Sequence, residues 1–318
     1  MIAQAAAVER RFRLPLNPAE VRIPSEARPT RQALPMPLPE YERNSDDEPQ
    51  LRPSLVLFAD LLGTVEHAKA ENAAATLAAM DVAFRRARKR SDIDGAAGHG
   101  HVAWFSDNVG IAVPLTPFEA ETSIGFTILS AMWLQFELAR LGFFVRGGLA
   151  VGNHYADDSF QFGPALVDAV HLEKAACHPR VVLSDEAVRV VDLCAQFHSE
   201  LDSNPFHYEL ATEGGKTFIS YLDGVVGEVD DINEVRQVLE LHRMAVSDQL
   251  HAGHVESVRL KYEWLADYHD FVVGHWLPDE PQLKLDGPSS HQFARYEPPT
   301  GLPVDASNIY AALGQILE

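Results

Sequence analysis

Short apolar runs alternate along the chain with longer stretches rich in alanine and charge, a pattern of strands interleaved with helices. Leu55-Val56-Leu57-Phe58-Ala59 is a continuous apolar run of strand length, which suits a buried strand. Residues 63–90 are rich in Ala, Glu, Lys and Arg and hold no proline, so a helix is expected there. Residues 101–105 and 109–113 flank Ser106-Asp107-Asn108, two strands joined by a tight polar turn. A long apolar helix is expected over residues 117–141 and a strand over 143–151, carrying Arg146-Gly147-Gly148. Residues 153–162 read as a strand and turn, and residues 163–176 as a helix with Pro164 in its first turn. Residues 180–183 are expected as a strand, Ser184 as the N-cap of another helix, and residues 208–211 and 217–222 as a closing strand pair.

The two ends of the chain differ from this middle. Residues 1–50 hold eight of the 20 prolines and finish in Asn44-Ser45-Asp46-Asp47-Glu48, so they read as an extension or linker that buries little. Residues 230–276 read as two helical stretches, the second with Val258, Tyr262, Leu265 and His269 at helical spacing as a packing stripe. The tail from Pro278 is rich in proline and polar residues. The division is therefore an extension over 1–50, an α/β domain over 54–222, and a helical C-terminal segment with its tail over 230–318.

Composition narrows the function classes. The 318 residues carry 26 Lys and Arg against 46 Asp and Glu, a net charge of −20. Such a chain is a poor general binder of nucleic acid or anionic membrane, and a small anion can bind only where metals or placed arginines reverse the local field. No apolar run approaches the ~18 residues of a membrane span. No secretory leader is evident in a start that carries Glu9, Arg10 and Arg11, and a cytoplasmic location is expected. Cys177 and Cys194 have neither metal-ligand nor redox spacing and read as small buried hydrophobes.

The candidate chemistry centres on two carboxylates. Asp60 ends the first strand, and Leu61-Leu62-Gly63-Thr64 turns into a helix whose free N–H groups can cradle phosphate oxygens. Phe58 shares a strand face with Asp60 and can pack against a nucleotide or simply fill the core. Asp107 lies in the hairpin turn. If that hairpin flanks the first strand, the two carboxylates meet at one edge, and hard divalent cations are the natural filling between them.

The order Phe58-Ala59-Asp60-Leu61-Leu62-Gly63, Phe105-Ser106-Asp107, Val145-Arg146-Gly147-Gly148 and Phe162-Gly163 resembles the class III nucleotide cyclases, with Ala169, Leu172, Glu173 and the strand after Pro179 also fitting. The resemblance spans residues 54–222. It implies an α/β, ferredoxin-like cyclase core with a C-terminal helical segment, working as a homodimer with active sites between subunits. It implies two divalent cations, Mn2+ or Mg2+, on Asp60, Asp107 and the Leu61 carbonyl. Arg146 matches a position that contacts the triphosphate; a structural ion pair is its other reading. Phe58, Leu61, Leu62, Gly63 and Thr64 complete the substrate-binding set.

Four positions depart from the purine cyclases of this family. Ala103 stands where they carry a base-reading lysine, and Phe160 where they carry a second base-reading polar residue. Val167 and His171 stand where they carry an Asn and an Arg that support the transition state. His171 reads either as a partial substitute or as a buried structural histidine. The paired carboxylates with altered base readers resemble the bacterial Pycsar-type pyrimidine cyclases of antiphage defence, whose C-terminal segment resembles residues 261–269. The implied reaction is UTP to cyclic UMP; the rivals are an adenylate or guanylate cyclase and a non-catalytic nucleotide-sensing or dimerisation module.

Overall fold

A computed structural model describes residues 41–64, 69, 73–90, 100–105, 107–198, 204–299 and 305–317. The first part of the chain runs β1 (Arg52–Leu61), α1 (Ala73–Arg90), β2 (His101–Phe105), β3 (Asn108–Pro114), α2 (Ala120–Ala139) and β4 (Val145–Ala156). These strands lie in the order β2-β3-β1-β4, each antiparallel to its neighbour. A βαββαβ chain in that order is the ferredoxin-like arrangement. The two-residue β5 (Gln161–Phe162) folds back on the end of β4, and α3 (Pro164–Ala175) follows. β6 (Val181–Leu183) then adds parallel to β4, making the sheet mixed.

β1 is central and is covered on both faces. Leu55, Leu57, Ala59 and Leu61 point into the main core with Ala79, Ala83 and Ala87 of α1 and Ile124 and Ile128 of α2. Val56 points the other way, into a small-residue cluster with Ala112, Ala150, Ala165 and Ala169, and Phe58 and Leu172 pack against it. The α3 backbone rests directly on the sheet at Gly148, where a Cβ would stand 2.3 Å from the Ala169 carbonyl oxygen. Gly163 allows the approach into α3 at φ +150°, with a Cβ otherwise 2.4 Å from the Asn153 carbonyl oxygen. Pro164 fills the first turn of α3, and Ser184 caps α4 (Asp185–Cys194) by accepting the Ala187 N–H at 3.1 Å.

The expected strand boundaries shift outward, so Asp60 lies within β1 rather than just after it. The closing pair is β7 (Leu210–Glu213) and β8 (Lys216–Ile219), preceded by the short helix α5 (Phe206–Glu209) and followed by α6 (Tyr221–Gly227). Residues 208 and 209, and 221 and 222, are therefore helical, contrary to the strand expectation. The two later helices are α7 (Ile232–Leu250) and α8 (Glu256–Trp276). Residues 1–40, 65–68, 70–72 and Ser106 lie outside the described residues, so most of the N-terminal extension does too.

The tail is more ordered than its composition predicts. β9 (Phe293–Arg295) pairs with β7 at the sheet edge, and α9 (Ala306–Leu317) buries Ile309, Leu313 and Leu317. Two carboxylates of α8 hold the connecting chain: Asp267 accepts the N–H groups of Ser289, Ser290 and His291, and Asp270 those of Leu285 and Gly287. Arg295 then pairs with the fully buried Asp223 at 2.9 Å. Cys194 is buried as expected, but Cys177 is exposed, because it follows the last turn of α3 on the outer side.

Buried histidines tie α6, α7 and α8 together. Tyr221 OH and His242 Nε2 are 2.7 Å apart, the His242 and His269 Nδ1 atoms 3.1 Å apart, and His269 Nε2 lies 2.9 Å from the Leu283 carbonyl oxygen. One assignment satisfies all three contacts: Tyr221 donates to His242, His242 donates to His269, and His269 donates to Leu283, with both rings neutral. Burial pushes His269 down to about 4 and His242 well below its ordinary value. Both groups bind protons more readily in the unfolded chain, so their contribution to stability is present above about pH 6.5 and is lost as pH falls towards 4. The urea midpoint is therefore expected to fall already between pH 6.5 and 5, above the range of ordinary carboxylates. A midpoint constant to pH 5 is the contrary result.

Candidate active site

The register of β1 assembles the site. Asp60 stands opposite Asn108 of β3 on one side and Arg146 of β4 on the other. In an antiparallel sheet, directly opposed residues share a face, so the three side chains emerge together beside α3. Asp107 occupies the turn just before Asn108, whose Nδ2 donates to its Oδ1 at 3.3 Å. The Leu61 N–H donates to the Asp107 carbonyl oxygen at 3.2 Å, which clips the hairpin turn to the end of β1. The structure thus brings Asp60, Asp107 and Arg146 together, as their motifs anticipate.

A further carboxylate joins them. Glu173, on α3 and only 5% exposed, sits 2.5 Å from Arg146 Nε; Arg146 Nη2 is 3.5 Å from Asp60 Oδ2. Arg146 thus makes a structural ion pair with Glu173, while its outer nitrogen faces Asp60. Glu173 has no expected role in the sequence reading beyond fitting the motif. The signal for it was its position, one turn beyond Ala169 on the buried side of α3.

Two carboxylates pair with one guanidinium, and a third, Asp107, adds its charge at Asp60. Asp60 is held above its ordinary carboxylate range, first by burial, then by the charges of Asp107 and Glu173, with Arg146 acting in the opposite sense. A divalent cation would relieve that excess of negative charge, and carboxylate and carbonyl oxygens are the donors that Mg2+ and Mn2+ take. Among the described residues no three His, Cys, Asp or Glu side chains form a ready-made metal cage. A pair of carboxylates completed by substrate phosphates is the usual Mg2+ arrangement.

The backbone part of the expected phosphate cradle is smaller than the sequence suggests. The N–H groups of Leu61 and Leu62 are engaged by the carbonyl oxygens of Asp107 and Phe144, because β1 continues through Leu61. That corrects the view of Leu61 and Leu62 as free donors and leaves Gly63, at φ +80°, and Thr64 at the turn. The Leu61 carbonyl oxygen accepts from the Thr64 hydroxyl at 3.1 Å and keeps a second lone pair for a ligand. The Leu61 side chain points into the main core.

The departing positions also have definite places. Ala103 is half-buried on the Asp60 face, paired with Gly110. Phe160 does not face the sheet: its ring lies 5.5 Å from that of Tyr155. Val167 and His171 are exposed on the outer side of α3, so His171 is not the buried structural histidine that one reading allowed. Phe105, opposite Asn108 at the site, is 78% exposed, and Phe162 and Val167 are further exposed apolar side chains on β5 and α3.

No protein-family model matches the chain, and no curated protein does. Among solved structures, the chain is similar to the guanylyl cyclase Cya2 at 10% identity, covering 54% of this chain and 92% of that one, with a TM-score of 0.36. It is similar at 13% identity and the same TM-score to the catalytic core of a rhodopsin-guanylyl cyclase with converted specificity, in complex with ATPαS, covering 53% of this chain and 94% of that one. Neither likeness is close enough to bear on what this chain does. Among the described residues no helix is long and apolar enough to cross a membrane.

The electrostatics give a test that needs no substrate. Because burial and two neighbouring carboxylates oppose the charge on Asp60, Asp60→Asn is expected to raise the melting temperature of the metal-free protein by a few degrees. If a cation binds there, Mn2+ should raise the melting temperature of the unsubstituted protein, and the same substitution should remove that rise. Differential scanning calorimetry with and without Mn2+ measures both; a Mn2+ shift that survives Asp60→Asn would remove Asp60 from the metal site.

Proposed function

We propose that this protein is a metal-dependent nucleotide cyclase that converts UTP to 3′,5′-cyclic UMP and pyrophosphate. The observation that supports the reading is the convergence of Asp60, Asp107 and Arg146 at the end of β1, with Asp60 held above the ordinary carboxylate range by burial and by the charges of Asp107 and Glu173.

Asp60, Asp107 and the Leu61 carbonyl oxygen would hold two divalent cations, Mn2+ or Mg2+. Bound there, the cations supply acidity to the ribose 3′-hydroxyl and neutralise charge on the departing pyrophosphate. The chain's own residues do the positioning. Arg146, its Nε anchored by Glu173, presents its outer nitrogen to phosphate oxygens. The turn at Gly63 and Thr64 brings backbone N–H groups alongside. The 3′-oxygen forms a bond to the α-phosphorus as the bond to the β-phosphate oxygen breaks, and the hydroxyl proton leaves to solvent. Attack within one molecule makes orientation and charge neutralisation the main catalytic terms.

Ala103 in place of a base-reading lysine supports a pyrimidine over a purine. The resemblance to the Pycsar-type cyclases supports cyclic UMP as an antiphage defence signal made in the cytoplasm. Exposed Phe105, Phe162 and Val167 around the site support a second copy of the chain as the partner that covers it.

Purified protein with Mn2+ and each of the four ribonucleoside triphosphates is expected to release cyclic UMP, read by chromatography and mass spectrometry. Asp60→Ala or Asp107→Ala should abolish turnover, by about a thousandfold or more, while the oligomeric state persists. Cyclic AMP or cyclic GMP as main product removes the pyrimidine assignment. No product from any nucleotide leaves the non-catalytic module as the better reading.

A further inference from the structure

β6 joins the sheet beside the strand that carries Arg146. It pairs with β4 from Gly147↔Val181 to Leu149↔Leu183. The ladder opens with the Gly147 N–H, which donates to the Arg180 carbonyl oxygen at 3.0 Å. Gly147 follows Arg146 directly, and it has no slack on its other side. A Cβ there would stand 2.5 Å from the Phe58 carbonyl oxygen of β1. The place of the Arg180 backbone therefore bears on the place of Arg146 and of Asp60 opposite it.

The Arg180 side chain anchors that backbone. Arg180 is only 8% exposed, so its protein partners, rather than water, decide where its charge can sit. Nη1 donates to Glu213 Oε2 at 2.6 Å. The guanidinium carbon lies 5.3 Å from the centre of the Phe218 ring and 5.7 Å from that of Trp264. The Arg180 N–H donates to the His178 carbonyl oxygen at 2.8 Å, which tightens the approach to β6.

The other oxygen of Glu213 belongs to the tail. Oε1 lies 3.1 Å from His291 Nδ1, and the Glu213 backbone pairs with Phe293 of β9. Asp267 of α8 accepts the His291 N–H at 3.1 Å. His178 sets its ring edge-to-face with His291 at 5.0 Å and parallel to Trp264 at 5.4 Å. The carboxylate that seats Arg180 thus also seats the tail.

We infer that Arg180 is a positioning residue for Arg146, and that docking of the tail through His291 and Glu213 sets it. The connection is continuous: a side-chain contact from His291 to Glu213, an ion pair from Glu213 to Arg180, a backbone hydrogen bond from Arg180 to Gly147, and one peptide bond to Arg146. A tail lifted from β7 frees Glu213, loosens Arg180 and lets the Arg146 guanidinium drift from phosphate oxygens. The docked tail thereby regulates how well the site holds a triphosphate. This rests on the cyclase reading given above, in which Arg146 meets the phosphates. Spatial continuity becomes coupling only if both ends shift together.

The test uses the full chain with Mn2+ and two readouts: KM and kcat for the best of the four ribonucleoside triphosphates, and the calorimetric Kd for inorganic tripolyphosphate. His291→Ala removes the tail's side-chain hold on Glu213 at a position 20% exposed. KM and the tripolyphosphate Kd are expected to rise about fivefold to tenfold, and His291→Asn, which keeps a donor for Glu213, should restore both to within about twofold. Simple loss of folded protein would lower kcat and the number of binding sites but leave KM and Kd unchanged. Arg180→Lys keeps the positive charge beside Glu213 and loses the planar face on Phe218 and Trp264. It should raise the same two constants, and it carries the test if His291→Ala melts below the assay temperature. Beside Arg146→Lys, the effect of His291→Ala should shrink below about twofold, because the residue it acts through is gone. If both variants leave KM and Kd within about twofold, or if the His291→Ala effect persists in full beside Arg146→Lys, Arg180 does not position Arg146, and turnover alone decides the cyclase reading. Tripolyphosphate binding without turnover removes the cyclase reading and leaves the Kd comparison to decide the coupling. If the unsubstituted protein neither cyclises a nucleotide nor binds tripolyphosphate, the cyclase reading falls and this inference with it.

Discussion

The antiparallel pairing of β1 with both of its neighbours is the constraint on which the rest of the site depends. It sets Asp60 between Asn108 and Arg146 and brings the Asp107 turn against the end of the strand. Strand side chains alternate with a period of two, so a slip of one residue would send Asp60 into the main core and Leu61 out to the site. The apolar residues on the other face of β1 forbid that slip. Burial of Leu55, Leu57, Ala59 and Leu61 thus holds the carboxylate in place as firmly as any contact made by the carboxylate itself.

The electrostatic arrangement at the end of β1 disfavours a charged Asp60. Asp60 loses hydration and faces two like charges, with Arg146 as partial compensation. Arg146 is shared with Glu173, which is more deeply buried and lies closer to it. Under the proposed reading, the stability given up there holds charge for a cation and phosphates.

Much of this was legible in the chain. The apolar run before Asp60, the polar turn at Asp107 and the glycine pair after Arg146 are local signals, and local signals set strands and hairpins. What escaped reading depends on parts distant in sequence. Glu173 meets Arg146 across a gap of 27 residues that only the packing of α3 on Gly148 closes. Phe160 turns towards Tyr155 because Asp157, three positions before it, curls the loop, and its place in the motif cannot reveal that. β9 has three residues and little apolar periodicity; its place is fixed by carboxylates on α8. In α9 the spacing of Ile309, Leu313 and Leu317 was a usable helix signal, hidden by the proline-rich stretch before it.

The position of β9 has a consequence for the order in which this molecule can be made. Its three residues close the open edge of β7, and Arg295 neutralises an aspartate that is entirely buried. Both events wait until residue 295 has left the ribosome, long after the strands that carry the site. Between the emergence of Asp223 and that of Arg295 the nascent chain holds an unpaired strand edge and an uncompensated buried charge, each a hazard for association with other chains. Native assembly of this sheet therefore waits for residue 295, and the segment that reads as a tail acts as its latch.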